Sequence, residues 1–123
     1  MKRAAGWREA AAALVLACFA SPALAHAFLE RADPRVGSTV DKAPERVTLH
    51  FSEQLEPAFS SLKVVDGEGH EVDKGDRDLD PKDRTVMRVS IPPLKPGAYK
   101  VIWRALSADT HVTQGDFRFE VRR

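Results

Sequence analysis

The stretch Tyr99-Lys100-Val101-Ile102-Trp103-Arg104-Ala105 decides the fold class. Tyr99, Val101, Trp103 and Ala105 recur at every second position, and successive side chains of an extended strand point to opposite faces, so these four share one apolar face. Lys100 and Arg104 fall on the other, toward water. A helix would scatter the same residues around its circumference. Immediately upstream, Leu94-Lys95-Pro96-Gly97-Ala98-Tyr99 has the form of a tyrosine corner, in which the Tyr99 hydroxyl donates back to nearby backbone.

The same period of two governs the chain on both sides. Val47, Leu49 and Phe51 alternate with Thr48, His50 and Ser52, and Met87, Val89 and Ile91 alternate with Arg88 and Ser90. Phe117, Phe119 and Val121 alternate with Arg118, Glu120 and Arg122 in a last strand near the chain end. Shorter strands are expected over residues 28–32 and 61–65, the second stopped by the turn Asp66-Gly67-Glu68-Gly69. Pro34, Pro44, Pro57, Pro81, Pro92, Pro93 and Pro96 fall between the runs, as residues that cannot donate to a ladder must. About seven short strands separated by turn signals predict an all-β fold, an immunoglobulin-like Greek-key β-sandwich. The charge-dense stretch over residues 71–84 mixes both signs and is expected as a solvated loop.

At the start of the chain, Lys2, Arg3 and Arg8 precede an apolar run over residues 10–20 that is too short to span a bilayer. Ser21-Pro22 follows, then Ala23-Leu24-Ala25, the small-x-small pattern of a signal peptidase site. Residues 1–25 are therefore expected to be a signal peptide that is removed, leaving residues 26–123 as one domain that begins at His26. A lipoprotein box at Val15-Leu16-Ala17-Cys18 is the rival reading, and Leu16 is bulky for it. With Lys2, Arg3, Arg8 and Glu9 gone, 16 of 19 basic and 17 of 18 acidic residues remain, which offers no surplus for nucleic acid. No membrane span remains. Cys18 also leaves, so stability must come from packing, or partly from a bound metal.

Cleavage before His26 would make this histidine unlike any other, because a free α-amine and the imidazole Nδ1 can chelate one metal together. The amine is available at modest cost, since its ordinary pKa is about 7.7 to 8.0 and a metal displaces that proton. Asp109-Thr110-His111 suggests further donors: residues i and i+2 of an extended segment point to one face about 6.6 Å apart. Two imidazoles, an amine and a carboxylate are nitrogen and oxygen donors, which suit tetragonal Cu(II). Zinc would rather be tetrahedral. Cu(I) would want sulfur, and beyond the leader only Met87 offers it, from a core position.

Over residues 26–123 the chain resembles the CopC-like periplasmic copper-resistance proteins. The resemblance is carried by His26, by Pro44-Glu45-Arg46-Val47-Thr48-Leu49-His50-Phe51-Ser52-Glu53, by Pro96-Gly97-Ala98-Tyr99-Lys100-Val101-Ile102-Trp103-Arg104, and by Ser107-Ala108-Asp109-Thr110-His111 with Gly115 and Phe117 after it. It implies a seven-stranded sandwich in the periplasm, one Cu(II) ion held by His26, Asp109 and His111, and delivery to an inner-membrane CopD-type importer by a monomer. Glu53 occupies a position near the metal in that family and is a candidate for orienting a ligand; a carboxylate facing only solvent is the plainer reading. Some members carry a Met-rich Cu(I) site. The corresponding residues 65–81 include His70 but no methionine, so a single site is expected. Where the family usually has glycine this chain has Thr110, which is expected to alter the loop's backbone angles. His50 and His70 are expected to face solvent, outside the site.

Three functions follow from these readings: a copper carrier or buffer, a histidine-brace copper oxidoreductase similar to the lytic polysaccharide monooxygenases, or a structural immunoglobulin-like module. The Asp109 carboxylate favours the first, because it would fill a position that oxygen chemistry needs open and would stabilise the oxidised ion. The absence of enzymatic activity is therefore the expectation.

Overall fold

The alternation read from sequence is the alternation of burial. In β3 (Arg46–Phe51) Val47, Leu49 and Phe51 are buried, in β6 (Asp83–Ser90) Met87 and Val89, and in β7 (Gly97–Leu106) Tyr99, Val101, Trp103 and Ala105. Phe117, Phe119 and Val121 do the same in β8 (Val112–Val121). The structure is a computed structural model and describes residues 26–123. The expected leader, its cleavage signal and Cys18 lie outside the described residues.

The remaining strands are β1 (Leu29–Asp33), β2 (Thr39–Val40), β4 (Ser61–Val65) and β5 (Asp78–Asp80), with one 3-10 turn at Pro57–Phe59. They form two four-stranded sheets, ordered β1-β3-β6-β5 and β2-β8-β7-β4. The pairing is antiparallel except where β2 runs parallel to β8. The chain leaves the first sheet after β3, visits the second as β4, and returns to pair β6 beside β3, the crossing pattern of a Greek-key sandwich. No helix among the described residues is long and apolar enough to cross a membrane.

The inner faces of the two sheets meet through aromatic rings. Phe51 of one sheet meets Trp103 of the other edge-to-face, with centroids 5.2 Å apart and planes at 70°. Trp103 also lies over Gly115, its cross-strand partner in β8, so closely that a Cβ there would sit 2.9 Å from the indole. Glycine is required at that point by the ring. The expected tyrosine corner is present: Tyr99 Oη donates to the Lys95 carbonyl at 2.6 Å, and burial pushes the phenol's pKa up.

Three boundaries differ from the sequence reading. The first strand begins at Leu29, not Phe28, and the last reaches back to Val112. Residues 71–84 are not simply a loop, since they contain β5 and the start of β6. Leu79 turns its side chain onto the core while Arg88 pairs with Asp78 at 3.1 Å and with Asp80 at 3.7 Å on the outer face. A strand of three residues gives one apolar position, too little for a periodicity to register. The two-residue β2 was missed for the same reason.

Candidate metal centre

Three segments meet at one end of the sandwich: the arm at residues 26–28, the turn after β3, and the β7–β8 connection at residues 107–111. Ala27 is fully buried and turns its neighbours His26 and Phe28 outward. Ser52 then pins the arm on both sides. Its hydroxyl donates to the His26 carbonyl at 3.0 Å and accepts the Phe28 N–H at 2.9 Å, while its own N–H donates to the Phe28 carbonyl at 2.9 Å. Thr113, at the start of β8, donates from Oγ1 to the Ala27 carbonyl at 2.6 Å.

The β7–β8 connection is organised around the buried Ser107. Its N–H donates to the His111 carbonyl at 3.0 Å, its carbonyl accepts the Thr110 N–H at 2.9 Å, and its hydroxyl accepts the His111 N–H at 3.3 Å. The same hydroxyl donates to Asp109 Oδ1. That bond comes first among the influences holding the Asp109 carboxyl below the usual carboxylate range, ahead of the attraction of the neighbouring His111. The connection is also tied to the turn after β3, where Ala108 N–H donates to the Gln54 carbonyl at 3.0 Å.

These anchors bring His26 and Asp109 each beside His111. The His26 and His111 rings stack with centroids 4.5 Å apart and planes at 18°. His111 Nδ1 stands 3.3 Å from Asp109 Oδ1. It is buried and, among the described residues, has no hydrogen-bond partner, although the carboxylate is close. A buried nitrogen left without a partner costs about 1–3 kcal/mol, and a cation placed against it and the Asp109 carboxylate would remove that cost. The donor set therefore fits a divalent metal of borderline softness.

The extended geometry assumed for Asp109-Thr110-His111 is not what brings the two side chains together. Residues 108–110 form a turn, and Thr110 has φ 74, in the left-handed region. So the expectation that Thr110 shifts the loop away from a glycine-like conformation is corrected: the loop keeps that conformation and the threonine carries the strain. A β-branched residue there costs about 1–2 kcal/mol, of which the lower chain entropy of unfolded threonine relative to glycine offsets part. Thr110→Gly is expected to raise stability by up to about 1 kcal/mol in urea unfolding. A destabilised Thr110→Gly would show that the hydroxyl contributes more than the angle costs.

Glu53 is half-buried directly after Ser52, and no hydrogen bond or ion pair among the described residues joins it to His26, Asp109 or His111. His50 faces outward from β3, with the Arg31 guanidinium 3.2 and 3.3 Å from its ring nitrogens. His70 lies exposed in the turn after β4, its Nδ1 3.6 Å from Asp66 and 3.5 Å from Glu68. The sequence reading missed the positioning roles of Ser52, Ser107 and Thr113. Ser52 and Ser107 stand inside the stretches that carry the family resemblance, the only signal that pointed to them.

Residues 29–122 match the model of the CopC domain. The chain is 39% identical over 111 residues to copper resistance protein C of Pseudomonas syringae pv. tomato, covering 81% of this chain and 83% of that protein. Among solved structures, CopC from Methylosinus trichosporium OB3b superposes with a TM-score of 0.71 at 33% identity, over 79% of this chain and 94% of that one. PcoC, a methionine-rich copper resistance protein from Escherichia coli, gives a TM-score of 0.69 at 33% identity, over 80% and 100%.

Proposed function

The chain belongs to the CopC family, and from that premise we propose that it is an exported copper carrier or buffer whose processed form begins at His26 and binds one Cu(II). The α-amine and imidazole of His26, the carboxylate of Asp109 and the imidazole of His111 are its donors. The observation that carries this reading is that His26 and Asp109 both stand beside His111. Stacked imidazoles 4.5 Å apart and a carboxylate 3.3 Å from His111 Nδ1 are held by hydrogen bonds from three different parts of the chain.

Each residue has a separate task. Ser52 and Thr113 fix the backbone of the arm, so that the histidine freed by processing does not fray as chain termini commonly do. Ser107 aims the Asp109 carboxylate and stabilises its charged form. An anionic ligand among nitrogen donors favours Cu(II) over Cu(I), which suits holding or passing on the ion rather than cycling it. The periplasm is the compartment in which such a protein acts, as a monomer. Copper resistance, with an inner-membrane CopD-type transporter as acceptor, is the role this reading implies.

Titrating the processed protein with Cu(II) under electron paramagnetic resonance tests the reading. One tight equivalent with a tetragonal nitrogen and oxygen signature is expected. Binding no tighter than that of an unstructured peptide amine would sink it. Ser52→Ala, which frees the His26 carbonyl and the Phe28 N–H, is expected to weaken binding about tenfold, in line with other outer-sphere supports of metal ligands. A competition titration against a chelator reads that change, and an unaltered dissociation constant would mean that the backbone bonds alone hold the arm.

A further inference from the structure

Phe28 is 61% exposed, although large apolar side chains gain little from standing in water. Its ring nevertheless has a fixed neighbour. It lies 5.9 Å from the His26 ring with the planes at 18°, and the His26 ring in turn lies 4.5 Å from His111, also at 18°. Phe28, His26 and His111 thus form a run of stacked rings in which His26 is the member touching both others. The backbone of Phe28 is clamped on both sides by Ser52, through its N–H and through its carbonyl, each at 2.9 Å. The phenyl ring is therefore mounted on a fixed piece of chain, whereas the terminal histidine is held only through its carbonyl, which leaves the orientation of its ring to its neighbours.

We infer that Phe28 is a positioning residue for His26, presetting the imidazole before the metal arrives. The inference rests on the reading of His26 as a copper ligand. A ring that is already oriented does not have to be ordered at the moment of binding, and affinity rises by the ordering saved. An aromatic pair of this kind corresponds to about a two- to tenfold change in affinity.

The test uses processed protein that starts at His26 by intact mass, as parent, Phe28→Ala and Phe28→Tyr. In copper-free Phe28→Ala the His26 ring-proton resonances are expected to move toward those of an unstructured peptide. Its Cu(II) dissociation constant is expected to rise about two- to tenfold. Its thermal midpoint should stay at the parent value, since most of the phenyl ring is in water. Phe28→Tyr should recover both the resonances and the affinity. Unchanged His26 resonances in Phe28→Ala would overturn the inference. So would an affinity loss that Phe28→Tyr does not recover, or one that accompanies a lowered thermal midpoint, because the ring would then be acting through the fold. The copper-free spectra judge the stacking without any metal. Failure of the carrier reading, seen as equal Cu(II) affinity with and without a residue added before His26, is therefore distinguishable from failure of this one.

Discussion

Processed protein carrying one extra residue before His26 is expected to bind Cu(II) at least about a hundredfold more weakly than protein that starts at His26. The extension changes one nitrogen. In the parent it is an amine that gives up a proton and ligates; in the extended form it is an amide, whose lone pair is delocalised into the carbonyl. Outer-sphere partners of ligands are worth about ten- to a hundredfold in metal affinity, so removing a ligand together with its chelate ring should exceed the upper end of that range. The rest of the site is left as it was, because Ser52 and Thr113 grip the arm through the carbonyls of His26 and Ala27, groups unaffected by what precedes them. Competition titration against a chelator measures the ratio of the two affinities. Equal values would eliminate the amine as a donor and leave His26 contributing only its ring.

Trp103→Ala is expected to lower the free energy of unfolding by about 3–5 kcal/mol, a large share of the roughly 5–15 kcal/mol that a domain possesses. The indole is 9% exposed at the middle of β7. It meets Phe51 of the opposite sheet and covers Gly115 of the neighbouring strand. Its removal opens a cavity between the sheets and uncovers a glycine backbone, and the domain has no disulfide with which to compensate. Ile102→Ala is the control, since Ile102 is one residue away, faces outward and is 39% exposed. Its cost should stay below about 1 kcal/mol. Urea unfolding of both variants reads the difference, and similar midpoints would show that the sheets are not held together at this ring.

Much of the fold was legible because sandwich strands have one wet face, and a period of two is written directly into residues such as Val47, Leu49 and Phe51. The shortest edge strands, β2 and β5, were not. Asp78-Leu79-Asp80 is mostly charge, and it becomes a strand only because β6 offers it a ladder. At the candidate site the residue types were legible, as donors whose chemistry suits a metal. The mode of assembly was not: a turn with Thr110 in a left-handed conformation replaced the extended segment that the spacing alone suggested.

The sequence by itself determined the sandwich class, the inward residues of its long strands, and the identity of the candidate donors, because these depend on periodicity and on side-chain chemistry. Only the tertiary structure decided that His26, far from His111 in the chain, stacks on it, and that Ser52, Ser107 and Thr113 hold the segments there. The Ser52 and Thr113 hydroxyls act across the fold through directed hydrogen bonds, which depend on a relative placement of segments that no local pattern encodes, while Ser107 acts within its own turn.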